Sequence, residues 1–181
     1  MTGKKLALLG LALLMLLLSN LHLYCSVTVD GRRLEGLYEP SQIKRAEQIA
    51  ARTAEELLPG DVQTPRCRRA YRLSLGQAGG DTAVLSDALI LSCPGIVLAD
   101  GVFVNGIRLG TVENGAVLRE RLRSSILGQM PSAAVSGSIS GRLEIRPLYS
   151  RAGHETDCDD MVLLISAMAP VIYVDSEGRL V

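Results

Sequence analysis

The sequence predicts an α+β fold in which two copies of one small unit follow an apolar N-terminal helix, and three observations lead there. An apolar segment opens the chain, a motif recurs 75 residues later from Val27 to Val102, and within each copy the apolar spacing switches from alternate positions to a helical period. The expected layout is a transmembrane segment over residues 1–25, a first α+β repeat over 26–100 and a second over 101–181. Each repeat reads as hairpin, helix, strand, helix, and the chain finishes with the first strand of a third unit.

Lys4 and Lys5 precede the apolar run Leu6 to Leu18, and a weaker stretch continues through Tyr24. A positive flank before an apolar core holds the N-terminus in the cytoplasm and sends the remainder across the membrane. The run alone is shorter than the roughly 20 residues that span a bilayer, and counting on to Tyr24 makes up the length. A cleaved signal wants small residues before the cut, and His22, Leu23 and Tyr24 are not small. The expectation is therefore an uncleaved signal anchor, a single-pass chain with the membrane as a partner and its C-terminal body extracytoplasmic. Cys25 follows Tyr24 where a lipidation signal would place a small residue, so lipidation is not expected.

The first repeat opens with Val27-Thr28-Val29-Asp30-Gly31 and the second with Val102-Phe103-Val104-Asn105-Gly106. Alternating apolar positions followed by Asp-Gly or Asn-Gly specify a two-residue hairpin turn of type I′, which needs positive φ at both central residues. Asp30, Gly31, Asn105 and Gly106 are thus expected to be structural turn residues. Ile172-Tyr173-Val174-Asp175 repeats the first strand only.

A helix follows each hairpin. Ile43, Ala46, Ala50, Ala54 and Leu57 share one helical face between Pro40-Ser41 and Pro59-Gly60. Leu118, Leu122, Ile126 and Met130 do so between Asn114-Gly115 and Pro131, and the arginines and glutamates outside these stripes read as solvated. Ser, Gly and Ala make Pro131 to Gly141 a loop. Alternation at Tyr71, Leu73 and Leu75, and at Leu143 and Ile145, gives the next strand. The closing helices, about 82–92 and 157–168, are apolar on most sides, which predicts burial, Leu163 included.

With 48% hydrophobic residues, 3% aromatic and no tryptophan, the cores must be aliphatic. Nineteen basic residues balance nineteen acidic ones and no basic stripe stands out, so a nucleic-acid partner is not expected. Setting Lys4 and Lys5 aside leaves the body with an acidic excess of two, which weakens attraction to anionic polymers.

The chemistry-bearing residues are few. His154-Glu155-Thr156-Asp157-Cys158-Asp159-Asp160 gathers imidazole, thiol and carboxylates, and acidic residues of this kind belong at a helix start, where they cap free amides. His154 and His22 are the only histidines, too few for a catalytic zinc site, and the carboxylates lack the spacing of a calcium loop. Gly76 to Gly80 is not followed by the Lys and hydroxyl of a phosphate loop. Cys67, Cys93 and Cys158 have no CxxC spacing and read as small buried residues, with a disulfide among them left open. No catalytic, cofactor-binding or metal-ligating residue is assigned, and the chain is not expected to be an enzyme.

The two opening motifs, with Ile107-Arg108-Leu109-Gly110 after the second and Ala169-Pro170-Val171 before the third, resemble the anchored N-terminal repeat region of clostridial-type cell-wall proteins. In that family such repeats hold LysM modules or a lysostaphin-like zinc endopeptidase domain away from the membrane, and neither domain is present here. The resemblance implies a non-catalytic, membrane-anchored envelope protein that acts as a stalk or interaction module near peptidoglycan. The partner would be peptidoglycan or another envelope protein, and the alternative is the non-catalytic N-terminal part of a cell-wall hydrolase.

Overall fold

The structure, a computed structural model, describes residues 10–13, 15, 21–60, 65–74 and 78–181. The chain divides between Pro94 and Gly95 into two compact units. Asp100 and Gly101, where the sequence suggests a boundary, lie within a strand of the second.

In the first unit β1 (His22–Val29) and β2 (Arg32–Arg33) form the hairpin, followed by α1 (Pro40–Leu57), β3 (Arg68–Ser74) and α2 (Thr82–Leu91). The sheet order is β2-β1-β3, antiparallel throughout. Helix α1 starts where it does because Pro40 pre-sets φ at the first turn and the Gln42 Oε1 accepts from the Glu39 amide at 2.8 Å. Its buried stripe is Ile43, Ala46, Ala50 and Ala54, three of them small, so α2 can approach closely with Leu85, Leu89 and Ile90. Beneath them lie Cys25, Val27 and Val29 of β1. Edge strand β3 departs from its alternation: Tyr71 is 60% and Leu73 66% exposed, so apolar spacing there does not mark a buried face.

The second unit begins in the same way, with β4 (Ile96–Val104), β5 (Ile107–Val112) and α3 (Gly115–Gly128). The first turn of α3 is doubly capped. Asn114 Oδ1 accepts from the Ala116 and Val117 amides, and the Asp100 carboxylate accepts from the Gly115 amide at 2.7 Å. Then come β6 (Ser136–Ile139), β7 (Leu143–Arg151), α4 (Cys158–Met168) and β8 (Val171–Val174). The main sheet has the order β5-β4-β7, matching the first unit, with Val102, Val104, Val112, Leu118, Met161 and Ile165 at the centre of the core.

Four expectations are corrected here. The segment Pro131 to Gly141 is not all loop, and Ile172 to Asp175 does not open a third unit. Instead β6 and β8 pair antiparallel, Ser136 opposite Val174 and Ile139 opposite Val171, as a second sheet within the second unit. Helix α4 is not buried all round: Met161, Val162 and Ile165 enter the core, whereas Leu163 is 69% exposed.

The fourth correction removes the transmembrane segment. Most of residues 6–20 lie outside the described residues, and among the described residues no helix is long and apolar enough to cross a membrane. His22, Leu23 and Tyr24, which were needed to reach spanning length, belong to β1, where Tyr24 is buried and pairs with Arg72. Without them the run Leu6 to Leu18 falls short of a bilayer. The signal anchor, the membrane as a partner and the single-pass location that depended on them are withdrawn.

Candidate functional site

The four turn residues sit in the left-handed region, Asp30 at φ 47° and Gly31 at 77°, Asn105 at 51° and Gly106 at 81°. The second turn is tied further. Asn105 Oδ1 accepts from the Arg142 amide at 3.0 Å, and its own amide donates to the Arg142 carbonyl at 2.9 Å. These groups fix strand connections and carry no reactive chemistry.

The cluster from His154 to Asp160 is likewise held by structural bonds. The Thr156 amide donates to the Thr111 carbonyl at 2.8 Å, pinning the segment to β5, and Asp157 caps α4 by accepting from the Asp159 amide at 2.8 Å. The His154 amide closes a turn onto the Arg151 carbonyl. Burial pushes the Cys158 thiol above its ordinary range, Asp157, Asp159 and Glu113 push it further, and Arg121 opposes them. A thiol that holds its proton is a poor nucleophile. Cys25, Cys67 and Cys93 are also raised, chiefly by burial, and all four cysteines are free. Among the described residues no cluster of three or more His, Cys, Asp or Glu is placed to hold a metal.

A different part of the second unit forms a recess suited to binding. Arg119, Leu122, Arg123, Ile126 and Leu127 follow one another at helical spacing along α3, and with Val135 to Gly137 they line an open groove of about 320 Å³. Gly137 makes the close approach of β6 to the helix feasible, because a Cβ there would meet Ile126 Cγ2 and the Tyr173 ring at 2.7 Å. The Tyr173 hydroxyl donates to the Ile126 carbonyl at 3.2 Å, fastening β8 to the same helix. Leu122 is buried, Ile126 half-buried, and Leu127 and Val135 are exposed, which gives the groove an apolar floor and an open mouth.

Charge at the groove has one sign. No carboxylate lines it, and among the described residues neither Arg119 nor Arg123 has an ion pair, whereas Arg121, on another side of the helix, reaches Asp159 at 3.8 Å. The lining has no imidazole or thiol and offers apolar contact, guanidinium donors, backbone groups and the Ser136 hydroxyl.

Sequence reasoning missed this groove because it treated Arg119 and Arg123 as solvated and the β6 segment as loop. The usable signal was the spacing of the two arginines, four apart and interleaved with Leu122 and Ile126 on one stripe. No family model, curated protein or solved structure matches the chain.

Proposed function

We propose that this chain is a non-catalytic interaction module in which two copies of one α+β unit serve as a stalk and the second copy carries the binding surface. The observation that supports it best is the groove between α3 and β6, which has an apolar floor, is open, is rimmed by arginines and is lined by no carboxylate, imidazole or thiol that could activate the Ser136 hydroxyl. The state of Cys158 agrees with this reading, since burial and the carboxylates of Asp157, Asp159 and Glu113 push its thiol above the ordinary range. Its resemblance to the repeats of cell-wall proteins makes peptidoglycan or a protein of that setting the partner class to try first.

The test uses the purified chain. Incubated with peptidoglycan and with peptide and ester substrates it should release no product, while a displayed library of random linear peptides should yield binders. Product release that disappears in His154→Ala or Cys158→Ser would overturn the non-catalytic reading in favour of a hydrolase.

A further inference from the structure

We propose that the groove takes an extended acidic segment of a partner protein, which adds as a strand to the open edge of β6 and places its carboxylates on Arg119 and Arg123. The inference rests on the reading of this chain as an interaction module, and it names the partner's chemistry and the way it is held.

The first argument is the backbone. The β6-β8 register continues to Ser140, whose amide donates to the Pro170 carbonyl at 2.8 Å. Antiparallel pairing alternates, so Ser136 and Ser138 exchange bonds with β8 while the Gly137 N–H and C=O point to the opposite edge. The far edge of β8 is already used, since Val174 bridges to Leu180 and the Val181 amide donates to the Tyr173 carbonyl at 3.1 Å. Among the described residues the remaining edge of this sheet is that of β6; the Ile139 carbonyl there accepts from the Gly141 amide at 2.9 Å, and the edge open to an added strand is the one at Gly137.

The second argument is the side-chain surface beside that edge. An added strand alternates its residues between two sides, so apolar residues at every second position would cover Leu122, Ile126 and Leu127. The residues between them would stand at the rim, where Arg119 and Arg123 present two cationic forks without a counter-charge. Charge complementarity thus selects an acidic segment over a neutral or basic one. A second copy of this chain fits less well, because its own exposed edge strand β3 carries Arg68, Arg69 and Arg72.

The experiment measures fluorescence anisotropy of a labelled eight-residue peptide alternating Asp and Val against the purified full chain. Two controls accompany it, a Lys-Val peptide and an Asp-Val peptide N-methylated at alternate amides. The Asp-Val peptide should bind, and the Lys-Val peptide should not. Arg119→Glu and Arg123→Glu, both at exposed positions, should each weaken binding by at least about fivefold with unchanged thermal melting. N-methylation should weaken it by at least about tenfold through loss of the backbone bonds.

Equal binding of the two charge types, or indifference to both arginine variants, overturns the acidic occupant. Undiminished binding of the N-methylated peptide overturns strand addition. Self-association of the chain that Leu127→Asp abolishes would assign the groove to a second copy and overturn the proposal. Library peptides that bind but ignore every groove variant would sink this inference alone and leave the interaction module standing, whereas catalysis would sink the module.

Discussion

The two units share a sheet order and, apart from the inserted β6, an element order up to their second helix, yet they differ in how tightly the hairpin is anchored and in what is added. In the first, β2 is two residues long, and Gly36 lies against the backbone of Gly79 and Gly80. In the second, β5 runs for six residues, Thr111 occupies the place of Gly36 in the repeat, and Asn105 binds Arg142. Both units pin the segment before their second helix to the stretch that follows the hairpin turn, Gly80 to Leu37 and Thr156 to Thr111 of β5. Both then cap that helix with an aspartate, Asp81 or Asp157. The shared parts are therefore those that set the fold. The added β6-β8 sheet and its groove belong to the second unit among the described residues, which is why binding is placed there.

Core substitution gives the largest contrast. Met161→Asp should unfold the second unit, since a carboxylate in that core costs several kcal/mol by the general penalty for unpaired buried charge. Leu163→Asp, two residues on but exposed, should shift stability by less than about 0.5 kcal/mol. Urea melts of both variants measure this directly, and equal losses would mean that α4 is covered on both sides.

The next contrast separates the hairpin supports. Gly36→Val should cost at least about 2 kcal/mol, because φ is +86° and a Cβ would lie 2.7 Å from the Gly80 backbone nitrogen, which cannot rotate away. Thr111→Val retains an allowed backbone and loses one hydroxyl contact to Ser150, a loss of about 1 kcal/mol. Gly106→Val should fall between them at about 1–3 kcal/mol, as strain without a clash. Denaturant midpoints that reverse this order would contradict the account of the turns.

What was legible in the sequence had a local cause. Asp30-Gly31 and Asn105-Gly106 announce left-handed turns, and the stripes Ile43 to Ala54 and Leu118 to Leu122 announce helix faces, because spacing and backbone freedom are written in consecutive residues. Strand β6 was not legible: Ser136-Gly137-Ser138-Ile139 lacks strand-forming residues apart from Ile139, and it is extended because β8 pairs with it 32 residues or more away. The same β8 was misread as the start of a third unit, since its Val-Asp ending repeats the motif and only tertiary pairing reveals its partner. The N-terminal error had the opposite origin. Hydropathy counted Leu23 and Tyr24 as anchor, and their ladder with Leu73 and Arg72 makes them strand.

A smaller effect concerns reactivity. Because burial and carboxylates raise the Cys158 thiol, its ionisation in the folded chain lags behind that of a free cysteine as pH rises. In a variant retaining only this cysteine, alkylation at pH 8 should be slower than for a free thiol and should accelerate only at higher pH. Faster alkylation would reopen a catalytic role for the His154 to Asp160 segment.

The most direct test of the central claim, that the second unit binds through the edge of β6, is amide hydrogen exchange of the full chain with and without the Asp-Val peptide. Protection should rise at Gly137 and along α3 from Arg119 to Leu127 and leave the first unit unchanged. Protection confined to the first unit, or an unaltered Gly137 amide at saturating peptide, would contradict it.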